Sequence, residues 1–240
     1  MAKEIPIKPQ PGFQETATDC EADIAVLGGT AGCGKTFTLL YEPLKYIFDP
    51  TPGFNAIIFR REAVQISTTG GLWEKARELY TKLPSPYRPH FSGGRSYFQI
   101  RFPTDSTLQL NHLHEENTVY AFQGAEICYI AFDELTHFSE DQFFYMLSRN
   151  RSTCGVEPYI RASCNPQGQG WVKDLIGWWL YPDNYYIETL RGAPIPERQG
   201  EMLYICRFGG KTNSCVRQQA TSLMRSCWDG DCSTTSAIFL

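Results

Sequence analysis

A glycine-rich segment at residues 28–36 carries the residue types that bind phosphate. It matches the pattern G-x-x-x-x-G-K-[ST] and follows the apolar run 24–27 directly. Glycines permit a tight backbone path that directs successive N–H groups at phosphate oxygens, and the helix that follows adds its positive N-terminal end. In this pattern Lys35 lies along the β- and γ-phosphates, and the Thr36 hydroxyl binds Mg²⁺. The predicted phosphate contacts are those of Gly29, Thr30, Ala31, Gly32, Cys33, Gly34, Lys35 and Thr36.

Two adjacent acids end a second apolar run about a hundred residues later. Asp133 and Glu134 follow the run 127–132. We predict that Asp133 joins Thr36 in holding the metal and that Glu134 polarises the water that attacks the γ-phosphate. A nucleotide kinase or a small GTPase can dispense with the second acid, so Glu134 favours a hydrolase that couples turnover to motion. The alternative is a pair of solvated acids at a helix N-terminus, where acids are favourable.

Strands alternate with helices around these segments, which predicts an α/β fold. Apolar runs predict strands at 23–27, 55–61, 127–132 and 159–164, and helices at 35–48, 72–83, 139–148 and 171–180. Pro43 should kink or shorten the first helix. Alternation across residues 97–102 and 107–112 predicts a hairpin. The whole pattern is that of a P-loop NTPase with a central, mostly parallel sheet flanked by helices, plus an inserted β-hairpin.

Three polar groups follow separate strands of this predicted sheet. They are the glycine loop, the acid pair and Asn165, which follows the strand at 159–164. The carboxyl ends of parallel strands meet at one edge of a sheet, where ligands bind. We therefore expect these groups to face one ligand.

The composition is that of a soluble globular protein. The chain has 240 residues, a net charge of −4 and nine cysteines. Its length favours one domain with appendages. No apolar run approaches the ~20 residues of a membrane span, and the start has no secretory core, so we expect a cytosolic protein that does not bind membranes. No cysteine pair has C-x-x-C spacing, which favours reduced thiols over bridges or zinc.

The combined segments resemble the large terminase subunit of tailed bacteriophages over residues 8–200. The segments that carry the resemblance are PGFQ at 11–14, GGTAGCGKT at 28–36, FRRE at 59–62, FQGAE at 122–126 leading to YIAFDELTHFSE, and ASCNP at 162–166 with Trp171 behind it. The resemblance implies a Mg²⁺-dependent ATPase that drives double-stranded DNA into a preformed capsid. Its implied partners are double-stranded DNA, a portal protein and a small terminase subunit, with the chain in a homo-oligomeric ring in the cytoplasm of the infected host.

The resemblance also assigns roles to single residues. Gln14 resembles the glutamine that contacts adenine, and Asn165 resembles the residue that senses the γ-phosphate and passes its state to the part that grips DNA. Arg60, Arg149 or Arg151 could supply the charge-stabilising arginine, in cis or from a neighbouring subunit. The predicted catalytic residues are Lys35, Arg60, Glu134 and Asn165, and the predicted cofactors are ATP and Mg²⁺.

Two other functions fit the same residues. One is a DNA-dependent P-loop ATPase of helicase or recombinase type, which would separate strands. The other is a non-catalytic module that binds nucleotide to stabilise an assembly.

The C-terminal part departs from the resemblance. We divide the chain into an N-terminal segment at 1–22 with the adenine-contact residue, an ATPase domain at 23–200 and an atypical tail at 201–240, interpreted as disordered or truncated. A full large terminase adds a nuclease of RNase H-like fold, which needs clustered carboxylates to hold two metals. After Gly200 the chain offers only Glu201, Asp229 and Asp231. No nuclease activity is predicted for this polypeptide.

Overall fold

The computed structural model describes residues 7–29, 32–48, 53–94, 98–165, 170–198, 201–208, 211–216 and 234–239. Its strands are β1 (Ile24–Leu27), β2 (Asn55–Arg60), β3 (His90–Gly93), β4 (Phe98–Arg101), β5 (Thr107–His112), β6 (Tyr129–Phe132), β7 (Tyr159–Ser163), β8 (Met202–Phe208), β9 (Lys211–Val216) and β10 (Thr234–Phe239). Its α-helices are α1 (Phe13–Thr18), α2 (Lys35–Tyr41), α3 (Leu44–Phe48), α4 (Ala63–Ser67), α5 (Leu72–Tyr80), α6 (Glu140–Leu147) and α7 (Trp171–Leu175). Short 3-10 helices span Glu116–Phe122, Leu135–His137, Gly177–Trp179, Glu188–Leu190 and Pro196–Arg198.

These strands form one sheet in the order β3-β4-β5-β2-β6-β7-β1-β10-β8-β9. The neighbours from β5 to β10 are parallel, while β3-β4-β5 and β10-β8-β9 are antiparallel. The predicted α/β fold with a mostly parallel central sheet is therefore confirmed. The strand β7 lies between β1, which leads into the glycine loop, and β6, which leads into the acids.

Both faces of the central strands are buried, and successive residues alternate between them. In β2, Ala56 and Ile58 face one apolar cluster with α2, α3 and α5, while Ile57 and Phe59 face a second cluster with α6 and α7. A parallel sheet covered on both faces needs such continuous apolar strands. Among the described helices, none has the length and apolar character needed to cross a membrane.

The predicted hairpin is confirmed as β4 and β5, with Phe98 opposite Leu110 and Arg101 opposite Thr107. The sequence did not predict β3, which pairs with β4 at the edge of the sheet. Pro43 separates α2 from α3, as expected of a residue without a backbone N–H. The helix predicted at 171–180 is shorter, because α7 ends at Leu175 and a 3-10 turn follows.

The chain after residue 200 contributes three strands that the sequence did not predict. β10 pairs in parallel with β1, where Ile24 is opposite Ala237, and β8 pairs with the other side of β10. The pairing partners are distant in sequence, and strand preference depends on such neighbours more than on local composition. The division of the chain at residue 200 stays a prediction.

Candidate functional site

The loop between β1 and α2 adopts a backbone that requires glycine. Gly29, Gly32 and Gly34 have φ angles of 131°, 90° and 86°, which L-residues with side chains rarely adopt. A β-carbon on Gly34 would also collide with the side-chain amide of Gln14. Gly34 is the residue before the first turn of α2, so the packing of Gln14 against Gly34 helps to fix where this helix begins. The predicted contacts Thr30 and Ala31 lie outside the described residues.

Gln14 lies against this loop from the N-terminal segment. Its side chain is buried, and its Oε1 accepts a hydrogen bond of 2.8 Å from the backbone N–H of Gln10. A residue predicted from the resemblance alone is thus placed beside Gly34. Its contact with adenine stays a prediction.

Lys35 joins the ends of β1 and β7. Its Nζ donates to the carbonyl of Gly29 at 2.6 Å and to Oδ1 of Asn165 at 2.9 Å, and it lies 3.7 Å from Sγ of Cys33. The strand β7 brings Asn165 to Lys35 because β7 is the immediate neighbour of β1. The predicted lysine and the predicted coupling residue are therefore in direct contact.

The two acids at the end of β6 face α2 and β2. The Thr36 hydroxyl donates to Oδ2 of Asp133 at 3.2 Å, so the two predicted metal ligands converge. The guanidinium of Arg60 bridges both acids, with Nη2 at 2.6 Å from Oδ2 of Asp133 and Nη1 at 3.0 Å from Oε2 of Glu134. The Asp133 side chain is 2% exposed and that of Glu134 is 35% exposed. The inner acid is enclosed, while the outer one reaches solvent.

The sequence analysis missed Ser163, the last residue of β7. Its hydroxyl donates to Oδ1 of Asp133 at 2.7 Å and accepts the backbone N–H of Glu134 at 2.9 Å. Glu134 has a φ of 67°, a left-handed conformation that costs an ordinary residue on the order of 1 kcal/mol. The buried hydroxyl helps to hold that conformation and so directs the Glu134 side chain. A serine at the end of a strand beside the acid strand is the signal that could have identified it.

We expect Ser163→Ala to lower the free energy of unfolding by about 1–3 kcal/mol. The change leaves the buried Oδ1 of Asp133 and the N–H of Glu134 without this partner, whereas Ser148→Ala removes an exposed hydroxyl that bonds the Tyr145 carbonyl. Urea unfolding of both variants measures the difference. Equal free energies of unfolding for the two variants would contradict the assigned role of the Ser163 hydroxyl.

The other two candidate arginines lie at the opposite edge of the sheet. Arg149 and Arg151 exchange backbone hydrogen bonds with Ile127, which precedes β6, whereas the acids follow β6. Six residues of extended chain span about 20 Å, so neither arginine reaches the acids of its own chain. Within one chain, Arg60 is the one of the three that contacts the site.

The buried Arg161 side chain of β7 attaches the N-terminal segment to the sheet. The Arg161 guanidinium donates to the carbonyls of Cys20 at 2.7 Å and Ala22 at 2.9 Å. Its Nε lies 3.8 Å from Oε1 of Glu42, at the end of α2. Burial raises the pKa of the Glu42 carboxyl, although Arg161 and Lys45 oppose the shift. This support fixes the segment that carries Gln14 relative to the glycine loop.

A cavity of about 540 Å³ opens beside these groups. The loop, the strand ends and α5 enclose it, and its lining includes Lys35, Thr36, Arg60, Asp133, Glu134, Ser163, Cys164 and Asn165. Burial raises the pKa of the Cys164 thiol to about 12, so this lining group is neutral at physiological pH. The cavity therefore combines the glycine-rich loop, a lysine and paired acids at the carboxyl edge of the parallel strands.

This fold and this loop define a P-loop nucleoside-triphosphatase. The family model described as "Terminase large subunit, T4likevirus-type, N-terminal" matches residues 26–215. The chain belongs to this family of T4-type large terminase subunits, which confirms the resemblance given by the sequence. No curated protein matches the sequence of the chain.

Two solved structures share the fold. The large terminase of a thermophilic bacteriophage superposes with a TM-score of 0.54 at 17% identity, covering 67% of this chain and 40% of that one. The large terminase ATPase domain of Thermus phage P74-26 superposes with a TM-score of 0.51 at 15% identity, covering 79% of this chain and 78% of that one. The chain thus spans less than half of the first protein and most of the P74-26 ATPase domain.

Proposed function

We propose that this chain is the ATP-hydrolysing motor part of a large terminase subunit, which drives double-stranded DNA into a viral capsid. Membership of the large terminase family supports DNA packaging as the process. The single observation that carries the chemistry is the convergence of Lys35, Thr36, Asp133 and Asn165 at one edge of the sheet. Turnover requires all of these groups to face the same triphosphate.

Binding of the triphosphate begins at the loop. The backbone N–H groups around Gly34 and the first turn of α2 supply fixed donors for phosphate oxygens. Lys35 would exchange the Gly29 carbonyl for phosphate oxygens while it stays close to Asn165. Asn165 is then positioned to respond to the γ-phosphate, which is the basis of its proposed coupling role.

The residues present fit Mg²⁺, which prefers hard oxygen ligands and is usually held by one or two carboxylates together with substrate phosphates. Thr36 and Asp133 supply a hydroxyl and a carboxylate whose oxygens lie 3.2 Å apart. Bound Mg²⁺ would neutralise charge on the β- and γ-phosphate oxygens. The Ser163 hydroxyl would keep Asp133 oriented when Thr36 turns towards the metal.

Glu134 is the proposed base for the attacking water. Its carboxylate is more exposed than that of Asp133, and its Oε2 also lies 3.1 Å from Nδ1 of His137. A base must reach the water and orient it towards the γ-phosphate before it accepts the proton. The partly exposed position in the cavity lining supports this role.

Arg60 is the proposed charge-stabilising arginine in cis. Its guanidinium pairs with both acids. Because the proposed function places the γ-phosphate beside these acids, Arg60 would lie where negative charge increases during bond cleavage. Arg60 also positions the acids, because removing one partner of a buried ion pair leaves the other charge uncompensated.

We expect Arg60→Ala to bind ATP but to hydrolyse it at least about a hundredfold more slowly, since charge-stabilising arginines contribute ~10³–10⁵ in rate. Arg61→Ala is the matched control, because Arg61 bonds Oε1 of Gln142 rather than the acids. Single-turnover phosphate release, with the chain in excess over ATP and above its dissociation constant, measures the rate. Equal rates for the two variants would exclude Arg60 from the chemistry.

The proposed partners are double-stranded DNA, a portal protein and a small terminase subunit, with the chain in a homo-oligomeric ring in the host cytoplasm. These partners are inferred from the DNA packaging that the family performs and from the resemblance of the sequence to large terminase subunits. The proposal includes no nuclease activity for this polypeptide.

Phosphate release from ATP, measured with and without duplex DNA and portal protein, tests the proposal. A motor ATPase should turn over ATP with Mg²⁺ and move duplex DNA without separating its strands. Strand separation would favour the helicase-type alternative. Nucleotide binding without turnover under every condition would favour the passive assembly module.

A further inference from the structure

One side of the cavity is formed by a helix that the proposed mechanism does not use. Lys75, Glu78, Leu79 and Lys82 line the cavity from α5 and the turn after it. Their spacing of i, i+3, i+4 and i+7 places them on one face of a helix. The face of α5 that meets the cavity therefore carries a lysine at each end, with the acid Glu78 and the apolar Leu79 between them.

The position of α5 relative to the glycine loop is fixed by packing. The Tyr80 hydroxyl donates to the carbonyl of Leu40 in α2 at 2.6 Å, and Leu79 lines the cavity beside Leu40. Tyr80 is fully buried. Because α2 begins in the loop, the helix that carries Lys75 is held in register with the phosphate site.

The charges around the cavity distinguish Lys75 from the other cations that line it. Lys35 bonds Asn165, Arg60 bridges the two acids, and Lys82 pairs with Glu78 at 3.3 Å. No ion pair or hydrogen bond occupies the Lys75 ammonium group among the described residues. An unoccupied cation that faces an anion-binding loop is available for a phosphate oxygen.

In the proposed function, this cavity takes the γ-phosphate rather than the adenine. Its lining includes Thr36, Asp133 and Glu134, whereas Gln14, the predicted adenine contact, lies against the loop outside the lining. Lys75 therefore lines the part of the site that the proposed function assigns to the terminal phosphate. The other side chains that line the cavity from α5 and the turn after it are the apolar Leu79 and the Glu78–Lys82 ion pair, in which the two charges offset each other.

We propose that Lys75 binds the terminal phosphate of the triphosphate from α5, opposite the glycine loop, and so makes the site discriminate ATP from ADP. This inference rests on the proposed function, because it assigns a contact within the same nucleotide site. Lys75 is a phosphate-binding residue in this proposal, and Lys35 keeps its own contacts with the β- and γ-phosphates.

The test compares the affinities of the full chain for ATPγS and ADP in the presence of Mg²⁺. In Lys75→Ala we expect the affinity for ATPγS to fall about tenfold, the effect of losing one charged hydrogen bond, while the affinity for ADP changes less than about twofold. Lys75→Arg should restore most of the preference. Arg77→Ala is the matched control, because Arg77 lies on the same helix but packs over the ring of Phe91 outside the cavity.

The outcomes separate this inference from the function on which it rests. If the parent chain binds both nucleotides and Lys75→Ala keeps the same ATPγS to ADP ratio, the contact is wrong and the ATPase proposal stands. If the affinities for both nucleotides fall together in Lys75→Ala, the terminal-phosphate assignment is also wrong. A parent chain that binds neither nucleotide would overturn the proposed function together with this contact.

Discussion

The Glu134→Gln variant should bind ATP as tightly as the parent chain and hydrolyse it about a thousandfold more slowly. The amide keeps the size and hydrogen-bonding reach of the side chain but cannot accept a proton, and a positioned base contributes ~10²–10⁴ in rate. The backbone conformation of Glu134 depends on its own N–H and the Ser163 hydroxyl, which the substitution leaves in place. Equilibrium binding of ATP and steady-state phosphate release measure the two properties separately.

A second acid-to-amide change controls for the loss of charge. Asp141 is exposed in the first turn of α6 and does not line the cavity, so Asp141→Asn should hydrolyse ATP at the parental rate. Turnover near the parental rate in Glu134→Gln would remove Glu134 from the role of base. The Arg60 ion pair would then remain as the explanation for the position of this acid.

Lys35→Ala should weaken ATP binding by about a hundredfold and reduce turnover even at saturating ATP. The ammonium group would contact phosphate oxygens in both the ground state and the transition state, and a hydrogen bond to a charged group contributes about 1.5–3 kcal/mol. The variant also removes the contact between the loop and Asn165. Titration calorimetry with ATPγS gives the affinity, and phosphate release gives the rate.

Lys173→Ala is the control for Lys35→Ala, since it removes a lysine whose partner is Asp183, away from the cavity. We expect it to bind ATPγS like the parent chain. Retention of parental affinity by Lys35→Ala would mean that the loop does not bind phosphate in the predicted way, whatever the fold.

The parts of the site that follow from the sequence are those fixed by local backbone. The pattern from Gly29 to Thr36 determines its own turn, because positive φ angles require glycine at defined positions. The acids and Asn165 could be assigned to one edge because parallel strands present their carboxyl ends together. Proximity of Lys35, Asp133 and Asn165 was thus predictable without knowing the strand order.

The contacts that the sequence did not predict depend on the order of strands and on the rotation of helices. Ser163 reaches both acids because β7 lies between β1 and β6, and local pattern does not determine that placement. In the sequence, Lys75 cannot be distinguished from other surface lysines of an amphipathic helix. Its position at the cavity depends on the packing of α5 against α2, which the Tyr80 hydrogen bond fixes. Of the strands after residue 200, β10 pairs with β1, which is more than 200 residues away in sequence, and β8 and β9 follow it at this edge, so local preference does not predict them.

The distance between the acids and the arginines that flank Ile127 constrains any assembly in which Arg149 or Arg151 serves a neighbouring copy. In a pair related by a two-fold axis every contact occurs twice, so each copy would supply its arginine to the site of the other. In a head-to-tail contact each copy supplies its arginine to the next copy and receives one from the copy before it, and contacts of this kind close into rings or continue as filaments. If an arginine acted across a head-to-tail contact, ATP hydrolysis in each subunit would depend on the neighbouring copy on one side only. The assembly would then have an intrinsic direction around the ring or along the filament.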